Sequence, residues 1–219
     1  MFNFHTYCID DVPCLLNADY RHLEMSYPER VHLSVGIHPW QVEDDWREKM
    51  SLVRAVASEN RVWAIGECGL DKARGAALSV QREAFCAHIA LAEMVQKPLV
   101  IHCVRAFDEL LALRRELETI CKRQGREPQP WVIHGFRGNP EQAKQIMAKG
   151  FLLSFGHYYN LETLRFVFTS NRPFFLETDD HSLSVCQIYE QVAHHLDVDV
   201  AHLENLCDPC QTFFRPMIS

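Results

Sequence analysis

The chain has 219 residues, 47% of them apolar and 23% charged, with a formal net charge of −7. That balance is globular, large enough to bury a core without disulfides, and too acidic for a protein that coats nucleic acid nonspecifically. No apolar run reaches the roughly 18–20 residues of a membrane span, and MFNFHTYCIDD carries neither a basic leader nor a cleavable apolar core.

The predicted elements follow in chain order: strands at 2–5, 13–17 and 32–37, a helix at 42–58, then strand 62–66, helix 79–96, strand 99–102 and helix 104–124. Strand 131–134 comes next, then a helix that Asn139-Pro140 opens and Gly150 stops. Strand 151–155, helix 160–170, strand 174–177 and helices 183–196 and 200–213 complete the series. The strands are rich in Val, Ile, Leu and Phe without clean alternation, as in a parallel sheet buried on both faces. In 79–96, Ala84, His88, Leu91, Ala92 and Val95 share a face; in 104–124, Phe107, Leu110, Leu111, Leu117 and Ile120 do so. Eight strands alternating with helices predict an α/β fold of the TIM-type (β/α)8 barrel, one domain over residues 1–219. Only Thr6 to Val12 separates the first two strands, so the barrel is trimmed, its first outer helix missing.

Nine scattered cysteines and no export signal predict reduced thiols and a cytoplasmic setting. Cys207 and Cys210 form a CDPC, but no second pair completes a four-thiolate zinc site. The basic run Arg114, Arg115, Lys122, Arg123 and Arg126 is interspersed with Glu116, Glu118 and Glu127 and reads as a solvated helix face.

Strand ends carry the chemistry. FNF ends on His5, VWAIG on Glu67, LVI on His102 and WVI on His134, while FFLE leads into Thr178 and Asp179. His38 lies just past the third strand, in GIHP. In a parallel barrel all C-terminal strand ends emerge on one face, where barrel enzymes place their active sites. A histidine at one strand end is more often a hydrogen-bonded core or loop residue. Glu67 is harder to explain that way, because an unpaired buried carboxylate is costly, and Glu177 and Asp179 add charge at the same mouth. So much negative charge calls for a cation, and imidazole nitrogens beside carboxylate oxygens suit Zn²⁺ or a similar divalent ion.

These residues make the chain resemble the TatD family of metal-dependent hydrolases, among the amidohydrolase-like barrels. The resemblance runs through VGIHP (35–39, family GxHP), GECGLD (66–71, GExGLD), IHCVR (101–105), HGFRG (134–138, HxFxG), LLSFG (152–156, SxxG) and LETD (176–179, ETD). It implies phosphodiester hydrolysis, as a deoxyribonuclease, by water activated on one or two divalent ions (Zn, Mg or Mn). Carried over by position, Glu67 would bridge the ions, His102 and His134 would bind one, and His5 and Asp179 the other. Asp179 would also take the water's proton. Tyr7, His38, Asp71, Arg105 and Glu177 would lie behind the ligands or on substrate phosphate. The first strand departs from the family's DxHxH: Asn3 replaces the aspartate and Tyr7 the second histidine, and a phenol is a poor ligand near neutral pH.

The implied substrate is nucleic acid or a small phosphoester, with no membrane and no stable protein partner. Lys72, Arg74, Arg105 and Arg137, just past strand ends, favour phosphate. Two alternatives stand beside it: amide, ester or lactone hydrolysis by the same metal chemistry, and a non-catalytic barrel degenerate at His5-Thr6-Tyr7.

Overall fold

The computed structural model describes residues 1–9, 11–23 and 26–212. Its strands are β1 (Asn3–Thr6), β2 (Cys14–Asn17), β3 (Val31–Val35), β4 (Val62–Asp71), β5 (Leu99–Val104), β6 (Trp131–Ile133), β7 (Phe151–Phe155) and β8 (Phe174–Leu176). They form one sheet in chain order, every pairing parallel. Beyond β8, Asp179 bridges to Thr6; its N–H donates to the His5 carbonyl at 2.9 Å and its carbonyl accepts from Tyr7 N–H at 3.2 Å. The sheet therefore closes on itself, as the (β/α)8 reading expects, and its seam lies beside the strand-end histidines.

The helices are α1 (Trp46–Val56), α2 (Leu78–Val95), α3 (Phe107–Arg123), α4 (Pro140–Met147), α5 (Leu161–Thr169), α6 (Val185–Leu196), α7 (Val200–Leu206) and α8 (Pro209–Thr212). Among the described residues the first connection carries no helix, as its length dictates, and neither does the second, 18–30. The expected helix 200–213 is two short ones, divided ahead of Pro209, because the residue before a proline avoids the helical region; position 213 lies outside the described residues. Asn139 caps α4 with a reciprocal pair, its side chain accepting from Gln142 N–H while Gln142 accepts from Asn139 N–H. Two readings of α3 change. Ile120 is exposed, whereas Arg114 is buried, its guanidinium over the Trp131 ring and donating to the Gln129 carbonyl. Among the described residues no helix is long and apolar enough to cross a membrane, and all nine cysteines are free.

Which side chains enter the barrel is a matter of strand period. Phe4, Leu15, Ala64, Val100, Val132 and Phe175 form an interior cluster with Phe2, separate from the larger core under the helices. Counting by two from Val100, Val132 and Phe175 brings His102, His134 and Glu177 inward. On β1 and β4 the count breaks. Asn3 pairs with Cys14 and Thr6 with Leu16, so three steps on β1 face two on β2; Ile65 pairs with Leu99 and Cys68 with Ile101, again three against two. Each extra residue is a bulge that re-aims the next side chain, and these two turn His5 and Glu67 into the barrel. Gly66 makes the second possible: at φ +138° its α-carbon lies so close to β5 that a Cβ would stand 2.3 Å from the Val100 carbonyl oxygen. β4 then runs on to Asp71, five residues past the expected end, held by pairs such as Gly69–His102 and Asp71–Val104.

Candidate metal centre

Glu67 is 2% exposed and is the hub of the site. Its Oε1 lies 2.8 Å from His134 Nε2, 3.0 Å from His102 Nδ1 and 3.1 Å from His38 Nε2. Its Oε2 accepts the Tyr7 hydroxyl at 2.5 Å and lies 3.2 Å from His5 Nε2. Asp179 Oδ1 stands 3.7 Å from the same His5 nitrogen.

The far nitrogens of two of these rings meet carboxylates. His134 Nδ1 is 3.1 Å from Glu177 Oε1, and His102 Nε2 is 3.3 Å from Asp71 Oδ2. A carboxylate only accepts, so each far nitrogen donates, and each near nitrogen of the neutral ring turns a lone pair toward Glu67 Oε1. Lone pairs converging on a carboxylate oxygen repel one another unless a positive charge lies among them. Carboxylate-backed imidazoles around an acidic oxygen are the donor set of a divalent metal, so the residues fit such an ion. A proton on His134 is one such charge. Burial disfavours charge on His134, but Glu67 and Glu177 outweigh it and raise its basicity well above the ordinary imidazole range. Burial alone would raise the Glu67 carboxyl too, yet the His134 charge and the bonds from His102, His134 and His38 hold it well below the usual carboxylate range. Glu177 and Asp71 are likewise lowered against burial, the first by His134, the second by the Trp40 and Ala73 N–H groups and His102.

His38 has a different tautomer. Its Nδ1 accepts the Trp40 backbone N–H at 3.1 Å, so Nε2 carries the hydrogen that faces Glu67 Oε1. By proximity the possible ligand atoms fall into two groups, His5–Glu67–His134 and His38–Glu67–His102, each within 4.8 Å. The sequence reading grouped His102 with His134, and His5 with Asp179. The structure brings all of them to Glu67 or its neighbours, but proximity pairs His134 with His5.

These groups open on a cavity of about 720 Å³ lined in part by Tyr7, Asn17, His38, Trp40, Glu67, His102, His134 and Asp179. Burial pushes the Tyr7 phenol up, and Glu67 adds to this, so the group stays protonated. Asn3 is fully buried, and its amide both donates to the Thr178 hydroxyl and accepts from the Thr178 N–H, tying β1 to the end of β8. Arg105 is exposed at φ 55° and does not line the cavity; nor do Lys72, Arg74 and Arg137. Lys72 pairs with Glu109, while Arg74 and Arg137 stack on Trp40 and Tyr158. The basic groups on the cavity wall are Arg21 and Lys49, each already paired with acids, Asp19 for the first and Glu43 and Asp45 for the second.

Sequence reasoning missed four supporting residues. Asn17 accepts the Glu67 N–H at 3.0 Å; it ends LLN, so the strand-end rule could have found it. Trp40 donates to Asp71 Oδ2 at 2.6 Å. Gln81 accepts the Asp71 N–H and donates to the Asp71, Arg74 and Ala76 carbonyls, and His88 accepts the Ile37 N–H just before His38. Neither had a local signal.

The family model for TatD related DNase matches residues 9–205. The chain belongs to that family. Curated relatives include the uncharacterized metal-dependent hydrolase YabD of Bacillus subtilis, 32% identical over 58% of this chain and 47% of its own length. The 3'-5' ssDNA/RNA exonuclease TatD of Edwardsiella piscicida is 30% identical over 61% of this chain and 49% of its own. The chain thus spans about half the length of the curated relatives it matches. Among solved structures, the TatD homologue YjjV of Escherichia coli superposes with a TM-score of 0.69 at 17% identity, over 89% of this chain and 82% of that one. This last likeness shows the fold alone.

Proposed function

We propose that this TatD-family chain is a divalent-metal-dependent hydrolase that cleaves phosphodiester bonds in nucleic acid. The supporting observation is the convergence of carboxylate-backed His102 and His134 on Glu67 Oε1, on the wall of the cavity. Glu67, His102 and His134, with His5 and Asp179, would hold one or two ions of Zn, Mg or Mn. An ion held there supplies Lewis acidity to the ester oxygens and to an attacking water. Asp179 Oδ1, on the cavity wall, takes the proton; burial raises this carboxyl, which suits it to that task. The His38 Nε2–H holds the Glu67 carboxylate, and Trp40 and Tyr7, both half-exposed, line the cavity. Relatives named as ssDNA/RNA exonucleases support a single-stranded substrate. Nine thiols without a disulfide support a reducing compartment, the cytoplasm.

The test is an assay on end-labelled single-stranded DNA and RNA with Mg²⁺, Mn²⁺ or Zn²⁺. Cleavage that a chelator stops is expected, with Glu67→Gln slower by about 100-fold or more. Cleavage by Glu67→Gln at the parent rate refutes the assignment. One observation favours a second reading, hydrolysis of a small amide, ester or lactone: both basic side chains on the cavity wall are already paired. Activity on a chromogenic ester or lactone without any on nucleic acid would select it.

A further inference from the structure

The two oxygens of Glu67 face different chemistry. Around Oε1 stand His102 and His134, whose far nitrogens are tied to Asp71 and Glu177, so their near nitrogens are oriented and strengthened as donors. Around Oε2 stand Tyr7 and His5, with Asp179 Oδ1 3.7 Å from the same His5 nitrogen. Tyr7 donates its hydroxyl hydrogen to Oε2 at 2.5 Å, the shortest contact Glu67 makes, and its ring stands edge-on to His5 at 5.6 Å. His5 Nδ1 is buried and has no hydrogen-bond partner among the described residues, so nothing fixes its tautomer or enhances its donor strength. A second ion on this side would meet the Tyr7 hydroxyl hydrogen on one of the two lone pairs of Oε2, and a phenol offers it no basic nitrogen.

We propose that the centre holds a single divalent ion, on the Oε1 side of Glu67 among His102 and His134, and that Tyr7 closes the Oε2 side to a second. This rests on the metal-dependent reading above and fixes a number that reading leaves open. Tyr7 then acts as a hydrogen-bond donor that positions Glu67, and His5 serves the same carboxylate.

Metal-stripped protein reloaded with Mn²⁺ and freed of unbound ion tests this by elemental analysis and electron paramagnetic resonance. One ion per chain and an uncoupled six-line spectrum are expected. Two ions with an exchange-coupled spectrum overturn the single-ion proposal and leave the metal reading standing. No bound ion overturns both. Tyr7→His, which removes the hydroxyl and offers a nitrogen, is expected to raise the count to two; a folded variant that stays at one ion overturns the role given to Tyr7. The wild-type count needs no variant and decides the stoichiometry alone.

Discussion

Strands β5, β6 and β8 deliver their site residues differently from β1 and β4. On β5, β6 and β8 the chemistry continues the core: His102, His134 and Glu177 each follow an interior residue by two, and an undisturbed pleat turns them inward. On β1 and β4 the same count would turn His5 and Glu67 away from the interior, and an inserted residue corrects it. The hub carboxylate thus depends on an irregularity, while the imidazoles around it depend on ordinary alternation. The regular strands tolerate sequence change that keeps the period; the bulged ones need a particular residue at a particular place.

Gly66→Ala is the severest way to break this contrast. Its new Cβ would stand 2.3 Å from the Val100 carbonyl oxygen at a φ that side chains rarely adopt, and backbone on both sides leaves nothing flexible to move. A loss of about 3–5 kcal/mol in urea unfolding is expected. Gly125→Ala is the control: φ is +68° there with no atom within 4 Å, so only the intrinsic left-handed cost of about 1–2 kcal/mol applies. Equal losses at the two glycines would mean that the bulge at Gly66 imposes no steric demand.

The same contrast governs how far the molecule could be read from its sequence. Eight apolar runs gave the barrel and, on the regular strands, the inward residues, because each run ended on the residue that does the chemistry. The second half of β4 was not legible: Glu67 to Asp71 sets a glycine between two acids and looks like a loop, and it is a strand only because Gly69 lets its backbone pair against His102. The basic residues past the strand ends were legible as charges but not as partners, and Glu109, Trp40 and Tyr158 engage three of them. The contact between Tyr7 and Glu67 spans sixty residues and has no local signature.

His38 belongs to neither class of strand, since a loop carries it, and its support titrates. His88, fully buried in α2, accepts the Ile37 N–H on Nε2 and donates from Nδ1 to the Ala84 carbonyl, so only the neutral ring satisfies both. Burial, against a smaller opposing effect of the Ala84 bond, pushes its pKa down to about 4. As pH falls below about 6.5 the unfolded chain takes up this proton and the folded one does not until about 4, so stability is full above 6.5 and lost across that window. About 3 kcal/mol is expected to go, read from urea midpoints between the two pH values. His32, stacked on Trp63, is also pushed down to about 4 and adds to the slope, whereas His134, raised, opposes it, so His88→Gln is the comparison that isolates the buried ring. An unchanged slope in that variant would remove His88 from the account.

The smallest expected effect sharpens the comparison most, because Asp71 ends the bulged strand and Glu177 follows a regular one. Both accept from the far nitrogen of a histidine that faces Glu67, at 3.3 and 3.1 Å. Asp71→Asn and Glu177→Gln keep the shape and remove the charge behind the ring. Metal affinity should fall about 10–100-fold in each, measured by competition with a chelator. Asp71 is also held by the Trp40 indole N–H at 2.6 Å on Oδ2 and by the Ala73 and Arg74 N–H groups on Oδ1, against the single Gly135 N–H at 2.7 Å on Glu177 Oε1, and an amide oxygen can still accept such bonds. Asp71→Asn should therefore lie near the lower end of the range, and Glu177→Gln, fully buried with Oε2 unpartnered among the described residues, near the upper. Losses in that order would mean that bulged and regular strands deliver equivalent support, tuned by what stands behind it. If both variants held the ion as tightly as the parent, His102 and His134 would owe nothing to these carboxylates, and the argument from their lone pairs would fail.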